Sequence, residues 1–181
     1  MALGATIYKA QLDVSDLDRN HFSSHALTLA LHPSETEERL MVRLLAFALH
    51  ADEDLQFGKG ISSEGEAAVW NIDPTGRIRL WIEVGQPDET RVRKACGRAD
   101  AVVVYCYSRA AEVWWRQNQD WLNKLDKVAV VQLVVEDTQM LAAMAQRNMA
   151  LSCTVQEGLV YLNEGSVQPV TLKASLAYRS L

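Results

Sequence analysis

The sequence predicts an α/β protein: a mixed β-sheet flanked by helices, with additional antiparallel strands contributed by the N-terminal and C-terminal segments. Between residues 77 and 147, segments with the two-residue period of a strand alternate with segments of helical period. This alternation is typical of parallel strands joined by crossover helices. The two ends of the chain instead hold strand-like runs. One domain is expected over residues 1–181, because this length suffices for a single core.

The N-terminal segment carries two predicted strands, 5–14 and 25–31, which we expect to pair with each other. A helix follows, with Ser34 as its predicted N-cap and Glu37 completing a capping box, and it continues to about His50. The other predicted elements are an irregular segment at 51–76, strands at 77–84, 101–107 and 128–135, helices at 88–99, 109–122 and 137–147, and strands within 151–172 around a Glu157-Gly158 turn.

Composition narrows the class of protein. Hydrophobic residues make up 49% of the chain and charged residues 23%, which are ordinary values for a folded domain. No apolar run is long enough to cross a bilayer, and the first residues lack the basic and apolar regions of a signal peptide. The three cysteines, Cys96, Cys106 and Cys153, are odd in number and widely spaced, which disfavours a disulfide framework. We therefore expect a cytoplasmic protein without a membrane partner.

The charge of the chain is unevenly distributed. The net charge is −5, so the whole molecule does not attract nucleic acid. Residues 77–98 nevertheless contain six basic and three acidic side chains, which gives this segment +3 and leaves −8 for the rest. A local phosphate site and a solvated helix face both explain such a basic island.

Glu38 stands out in the first predicted helix because helical spacing places it in line with an apolar stripe. A carboxylate there costs stability unless a metal, a basic group or a hydrogen-bond network satisfies it. The alternative is a first-turn glutamate favoured by the helix dipole. The stripe consists of Met41, Val42, Leu45 and Leu49, whereas Arg39, Arg43 and His50 fall on the polar side, with Glu35 leaning toward them.

Two more acidic residues are candidates for a site. Glu83 lies near the end of the strand at 77–84, where sites in α/β sheets gather, although pairing with Arg79 two positions away is the simpler explanation. Asp73 begins an Asp-Pro-Thr-Gly sequence, which is typical of a type I turn, so a structural role is favoured. Its place just before the Glu83 strand keeps it among the candidates.

The helix predicted at 88–99 has two distinct sides. Val92, Ala95, Cys96 and Ala99 form the apolar side. Arg91, Lys94 and Arg98 form an adjoining basic stripe that suits phosphate binding. The alternative is a solvated face, stabilised by Asp88 and Glu89 near the helix N-terminus.

Other polar and aromatic residues are weaker candidates. His21 and His25 could point the same way on a strand, but no third ligand type clusters with them, so a metal site is not expected. Tryptophans occur along the helix at 109–122, and their helical spacing favours core packing over stacking on nucleobases. These tryptophans are Trp114, Trp115 and Trp121, in a stripe with Ala111 and Leu122.

Two stretches carry a family resemblance. HPSETEERLMVRLLAFALHAD at 32–52 and LWIEVGQPDETRVRKACGRADAVVVYCY at 80–107 are similar to the most distinctive segments of the YaeQ family of small bacterial proteins. The likeness extends over essentially the whole chain. It implies a variant of the PD-(D/E)XK nuclease fold, in which a helix acid, an Asp and a (D/E)-x-K tripeptide surround a divalent metal.

The resemblance assigns roles to residues of this chain. Glu38 resembles the helix acid, Asp73 the Asp and Glu83 the tripeptide acid, and the three together would hold Mg²⁺, with Mn²⁺ as the alternative ion. Gly85 stands where the tripeptide has lysine, a departure from the pattern. Lys94 is the implied substitute and Arg98 the second choice, Gln86 would position water or metal, and Arg39 and Arg43 match the family pattern and are interpreted as structural.

Three functions follow as hypotheses. The first is a metal-dependent nuclease acting on DNA or RNA, for which the missing lysine and the acidic net charge are unfavourable. The second is a non-catalytic nucleic-acid-binding module that uses Arg91, Lys94 and Arg98 on phosphates. The third is a regulatory protein-interaction module in which the acids form a structural network with arginines. Fold alone does not decide between them.

Overall fold

Two mixed β-sheets and their flanking helices build the structure. The computed structural model describes residues 4–59, 65–165, 170–172 and 175–179. The helices are α1 Glu37–Leu49, α2 Glu89–Cys96, α3 Ala111–Leu122 and α4 Val135–Ala143. The strands are β1 Thr6–Asp16, β2 His21–Leu31, β3 Leu55–Phe57, β4 Val69–Ile72, β5 Ile78–Val84, β6 Ala99–Cys106, β7 Val128–Gln132, β8 Asn148–Gln156, β9 Leu159–Glu164, β10 Val170–Leu172 and β11 Ser175–Arg179.

The two sheets differ in how their strands are connected. The first sheet has the order β10-β9-β8-β1-β2, and within it only β1 and β8 run parallel. The second has the order β11-β7-β6-β5-β4-β3, with β5, β6 and β7 parallel and antiparallel strands on both sides. The predicted mixed sheet flanked by helices is confirmed. The terminal strands, however, mostly form a sheet of their own.

The second sheet is buried on both faces, so successive side chains along a central strand enter two different cores. Val103 and Tyr105 of β6 join the core that lies between the sheets, together with α1 and α4. Val102 and Val104 join a second core with α2 and α3. Because both faces are covered, the strand reads as one continuous apolar run. The layers therefore follow the order first sheet, α1 with α4, second sheet, α2 with α3.

The beginning of α1 differs from the prediction. Its N-cap is Thr36, whose Oγ1 accepts a hydrogen bond from the Arg39 backbone N–H at 3.2 Å, and Ser34 lies outside the helix. Ser34 instead contacts the His32 ring at 2.7 Å. Both residues can cap a helix. The two-residue shift leaves Glu35 free to turn inward, where it is 7% exposed.

Other boundaries also shift by a few residues. The segment expected to be irregular at 51–76 contains the short strands β3 and β4, which carry too few residues to show a period. The strand expected at 128–135 ends at Gln132, and α4 begins at Val135 rather than at 137. The Glu157-Gly158 turn between β8 and β9 is confirmed, and both residues have positive φ.

The polar side expected for α1 is wrong at two positions. Arg43 is 1% exposed. Its buried charge is compensated by Glu35, whose Oε1 lies 2.9 Å from the Arg43 Nε, and its Nη2 donates to the Ala30 carbonyl at 3.0 Å. His50 is half-buried and shares a 2.9 Å hydrogen bond with the Tyr105 hydroxyl, and burial lowers the pKa of its ring to about 4. The helix is covered by both sheets, which a single amphipathic face does not reveal.

The aromatic residues of α3 serve the core, as predicted. Trp114 is 9% exposed and its Nε1 donates to the Pro87 carbonyl at 2.9 Å. Trp115 and Trp121 pack against the same core. His21 and His25 both contact the Ser23 hydroxyl. Among the described residues, no helix is both long and apolar enough to span a membrane.

The buried Glu35–Arg43 pair generates the first prediction. Glu35→Ala should lower the free energy of unfolding by about 3–5 kcal/mol, because it leaves the Arg43 guanidinium buried without its anion. Urea denaturation followed by circular dichroism measures this change. The control is Glu112→Ala in the exposed Glu112–Arg116 pair, which should cost less than about 1 kcal/mol. Equal losses in both variants would contradict the prediction.

Candidate functional site

Glu38 in the first turn of α1 is satisfied by a neighbouring helix. Its Oε1 accepts a 2.6 Å hydrogen bond from the hydroxyl of Thr138, a fully buried residue of α4. The carboxylate itself is half-exposed. Among the described residues, a single hydrogen-bond donor therefore contacts this carboxylate. Its donor lies 100 residues away in sequence, so no local pattern identifies Thr138.

Asp73 closes the turn that precedes β5. Its Oδ1 accepts hydrogen bonds from the Thr75 hydroxyl at 2.6 Å, the Thr75 N–H at 2.9 Å and the Arg77 N–H at 3.1 Å. Its Oδ2 lies 3.2 Å from the Arg79 Nε. The Thr75 hydroxyl, the two backbone N–H groups and Arg79 lower the pKa of Asp73 to about 2, against the opposing effect of desolvation. This carboxylate has the structural role that its turn sequence favours.

Glu83 lies near the carboxyl end of β5, on the face that α2 covers. The residue is 3% exposed. Its Oε1 accepts a 2.6 Å hydrogen bond from the Trp81 indole Nε1 and lies 2.8 Å from the Arg91 Nε. Arg91 also donates from Nη2 to the Glu66 carbonyl at 2.8 Å. Glu83 therefore forms an ion pair with Arg91 of α2. The pairing with Arg79 considered from the sequence does not occur, because Arg79 pairs with Asp73.

The three acids do not share a pocket. Glu38 contacts α4 on one face of the second sheet, whereas Glu83 contacts α2 on the other. Asp73 bonds to Arg77 at the start of the β5 hairpin, six residues before Glu83, which is about 20 Å along an extended strand. The described ranges contain no group of three or more His, Cys, Asp or Glu side chains suited to a metal ion. The structure therefore does not bring Glu38, Asp73 and Glu83 together at one position.

The three cations of the basic stripe of α2 make different contacts. Arg98 donates from Nη1 to the Gly65 carbonyl at 2.6 Å, and its guanidinium lies 5.0 Å over the Trp81 ring. Arg91 holds Glu83 and Glu66, as described above. Lys94 is exposed and makes no hydrogen bond or ion pair with the residues that the structure describes.

Two cavities meet at Arg91. The first, here called the β5 cavity, has a volume of about 280 Å³ and lies at the carboxyl end of that strand, between α1 and α2. The second measures about 380 Å³ and lies along the first turns of α2. Gln86 is held at the first cavity because its Nε2 donates to the Tyr107 carbonyl. Arg39, Val84, Gln86, Pro87 and Arg91 line the first cavity, and Asp88, Thr90, Arg91 and Lys94 line the second.

Arg39 is the residue of this site that the sequence did not reveal. It was interpreted as structural, and it does form an ion pair, with its Nη1 2.5 Å from Glu35 Oε1. Its side chain is 14% exposed and also lines the β5 cavity opposite α2. The four-residue spacing between Glu35 and Arg39 is a local signal for the ion pair. The cavity depends on packing between α1 and β5, which sequence spacing does not encode.

The arrangement suits anion binding. Arg39 and Arg91 approach the β5 cavity from opposite helices, and each is held by a carboxylate whose side chain is 4% exposed or less. A guanidinium has five N–H donors, so the Glu35 partner of Arg39 leaves donors for a ligand. Because the arginines are held in place before binding, less side-chain entropy is lost when a ligand arrives.

The fold and the site together define a two-sheet α/β protein with arginines, rather than clustered carboxylates, at the carboxyl end of its central strand. A family model described as YaeQ protein matches residues 1–172, and the chain belongs to the YaeQ family. It is 47% identical to the YaeQ protein of Escherichia coli (strain K12) over 165 residues, 91% of each chain. The identity to the YaeQ protein of Salmonella typhi is 48%, with the same coverage.

Two crystal structures of YaeQ proteins share this fold. The one from Xanthomonas axonopodis pv. citri has a TM-score of 0.92 and 45% identity, covering 96% of this chain and 98% of that chain. The one from Pseudomonas syringae also has a TM-score of 0.92, with 32% identity and 97% coverage of both chains. The two-sheet architecture is therefore that of the family.

The hydrogen bonds of Asp73 generate the second prediction. Because its pKa falls from 3.8 to about 2 in the folded state, its carboxylate stabilises the protein above about pH 4, and this contribution is lost as the pH falls toward 2. Asp73→Asn should therefore be less stable than wild type at pH 7, with a difference that shrinks below pH 4. Thermal melts across this pH range measure it.

The control for this experiment is Asp120→Asn, which removes the same charge at an exposed position of α3. It should follow the stability of the wild type at every pH. A constant difference between wild type and Asp73→Asn down to pH 2 would contradict the assignment of Asp73 as an ionised acceptor.

Proposed function

We propose that this protein binds the phosphate groups of a nucleic acid at the two cavities that meet at Arg91, without metal-dependent hydrolysis. The observation that carries the proposal is the position of Arg91, which lines both cavities while Arg39 and Lys94 lie on its two sides. Three cations from α1 and α2 thus line two cavities that share Arg91. This is the non-catalytic module considered from the sequence, with Arg39 added and Arg98 given a structural role.

The chemistry of the three cations supports phosphate as the ligand group. Arginine presents parallel N–H donors that match phosphate oxygens in a bidentate geometry, and lysine adds a mobile point charge. Lys94 retains its whole charge for a ligand, because it has no ion pair in the described residues. The net charge of −5 does not attract a polyanion at a distance. Binding would therefore depend on this local site and weaken strongly with salt.

The acids support a non-catalytic role. Magnesium ions in nuclease sites need several carboxylate oxygens around one position. Here Glu38, Asp73 and Glu83 have separate hydrogen-bond or ion-pair partners in separate places. A cation at Glu83 would have to displace Arg91 from a buried carboxylate. These residues therefore provide no single position for a magnesium ion.

Metal-dependent hydrolysis of nucleic acid is the second candidate. The resemblance to the PD-(D/E)XK nuclease fold supports it. A further acidic residue, Glu66 just before β4, also lies near Glu83, because its carbonyl accepts a hydrogen bond from the same Arg91 that pairs with Glu83. Its own carboxylate is occupied by Lys59, with the Lys59 N–H 2.9 Å from Oε2. Fold resemblance does not establish activity.

The cytoplasm is the compartment we propose for this function. All three cysteines are free, and Cys106 and Cys153 are buried thiols. Burial raises the pKa of both thiols to about 12, so they are held as the uncharged form at neutral pH. Free thiols are typical of a reducing compartment.

The third prediction concerns Lys94. Lys94→Ala should weaken binding to labelled single- or double-stranded DNA or RNA by about five- to tenfold at 0.1 M salt, and should lower the slope of log K against log salt by about 1. Fluorescence anisotropy with EDTA present measures both quantities without hydrolysis. The control is Arg93→Ala on the same helix, since Arg93 is exposed and paired with Glu89 at 2.7 Å.

The outcomes separate the candidate functions. Arg93→Ala should retain at least half of the wild-type affinity, because this residue lines neither cavity. Equal losses in the two variants, or absence of binding to all four nucleic acids at low salt, would contradict the proposal. Cleavage that requires Mg²⁺ and disappears in Glu83→Ala would instead establish the second candidate.

A further inference from the structure

A further cavity lies at the carboxyl edge of the second sheet, between the ends of β6 and β7. It has a volume of about 300 Å³ and is here called the β6–β7 cavity. The chain that leaves β6 enters α3 in one core, whereas the chain that leaves β7 enters α4 in the core on the opposite face of the sheet. Ligands of open α/β sheets bind in crevices at such switch points. Ser108, Arg109, Ala111 and Glu112 form one wall of the cavity, and the segment 132–136 forms the other.

The two walls of this cavity carry opposite charges. Arg109 belongs to the β6–α3 wall and Glu136 to the β7–α4 wall. Both residues are exposed, and neither side chain makes a hydrogen bond or ion pair with the residues that the structure describes. Glu112, by contrast, is paired with Arg116. A guanidinium only donates hydrogen bonds and an ionised carboxylate only accepts them, so a fitting ligand presents acceptors to Arg109 and donors to Glu136.

The rest of the lining suits a flat molecule with apolar faces. Leu133, Val134 and Val135 contribute apolar surface, and Val134 is 42% exposed, so a ligand would remove part of this surface from water. Gln132 adds an amide, which both donates and accepts hydrogen bonds. Unpaired nucleobases bind proteins in this way, through stacking of their faces and hydrogen bonds to their edges. A volume of about 300 Å³ lies at the lower end of the range for small-molecule sites, which suits a single base.

The β6–β7 cavity lies next to the proposed phosphate site. Gln86, which lines the β5 cavity, donates to the carbonyl of Tyr107, and the following residue, Ser108, lines the β6–β7 cavity. The strand order β7-β6-β5 and a spacing of about 4.8 Å between neighbouring strands separate the ends of β5 and β7 by about 10 Å. Because a nucleic-acid strand advances about 3.4 Å or more per nucleotide, a few nucleotides reach from one cavity to the other.

We propose that the β6–β7 cavity binds a guanine base of a single strand whose phosphates bind at Arg91, an assignment that rests on the phosphate binding proposed above. Guanine presents two parallel donors, N1–H and N2–H, which match the two oxygens of a carboxylate such as Glu136. Its O6 and N7 accept from a guanidinium such as that of Arg109. The other bases have a single donor nitrogen on their pairing edge. A duplex keeps the guanine donors in base pairs, so only an unpaired base fits.

The fourth prediction compares short thymidine strands that differ only at their central base. A central guanine should tighten binding by about tenfold relative to the all-thymidine strand. Hypoxanthine at the same position lacks only the 2-amino group of guanine, so it should bind about three- to tenfold more weakly than guanine. Fluorescence anisotropy at fixed salt, with EDTA present, measures each dissociation constant.

Glu136→Ala separates base binding from a simple effect of charge. If only charge matters, removal of an acid beside a polyanion strengthens binding to every strand. We expect instead that Glu136→Ala weakens binding of the guanine strand by about five- to tenfold and abolishes the difference between guanine and hypoxanthine. Binding of the all-thymidine strand should be unchanged or tighter. The control is Glu53→Ala, which should keep the guanine preference, because Glu53 is exposed beyond the C-terminal end of α1 and lines neither cavity.

Failure of the base pocket is distinguishable from failure of the phosphate site. Salt-dependent binding of the all-thymidine strand with no gain from guanine would leave the phosphate site in place and overturn the base assignment. A guanine preference that Glu136→Ala does not reduce, or that Glu53→Ala reduces equally, also overturns it. So does tight binding of free guanosine monophosphate that a longer strand does not improve. If no strand binds at low salt, both proposals fail.

Discussion

The ion pair between Glu83 and Arg91 is the interaction on which the candidate site depends. The Glu83 side chain lies beneath α2, where it is only 4% exposed and accepts a second hydrogen bond from the Trp81 indole. A buried carboxylate without a cation costs several kcal/mol, about 3–5, so this pairing fixes where Arg91 points. Because Arg91 then borders two cavities, the same contact that satisfies Glu83 also creates the cationic surface.

The two-sheet architecture explains why the acids are separated. The second sheet is covered on both faces, and α1 with its Glu38 lies on the face opposite to α2. Asp73 lies at the other end of the β5 strand from Glu83. The first sheet covers α1 from outside, and this cover buries the Glu35–Arg43 pair. Glu35 also holds Arg39 at the β5 cavity, so the fold connects the two anchored arginines to two separate buried carboxylates.

Local sequence signals predicted the helices and strands better than the contacts between them. Alternation identified β5 and β6, the Asp-Pro-Thr-Gly turn fixed the role of Asp73, and helical spacing placed Trp114 in the core. The need for a partner at Glu38 was also evident, whereas Thr138 as that partner was not, because the two are 100 residues apart. Helical spacing places Arg43 on the polar side of α1, but the residue is buried because two sheets cover this helix nearly all round. The separate sheet of the terminal strands depends on the parallel β1–β8 pairing, which leaves no local trace.

Manganese binding measured by electron paramagnetic resonance tests the central claim most directly, since free and bound Mn²⁺ give different signals. If Glu83 serves Arg91, wild type and Glu83→Gln should show the same weak, millimolar binding of Mn²⁺. A site of micromolar affinity in the wild type that Glu83→Gln removes would contradict the account. Such a result would mean that the carboxylate releases its arginine to hold a metal ion.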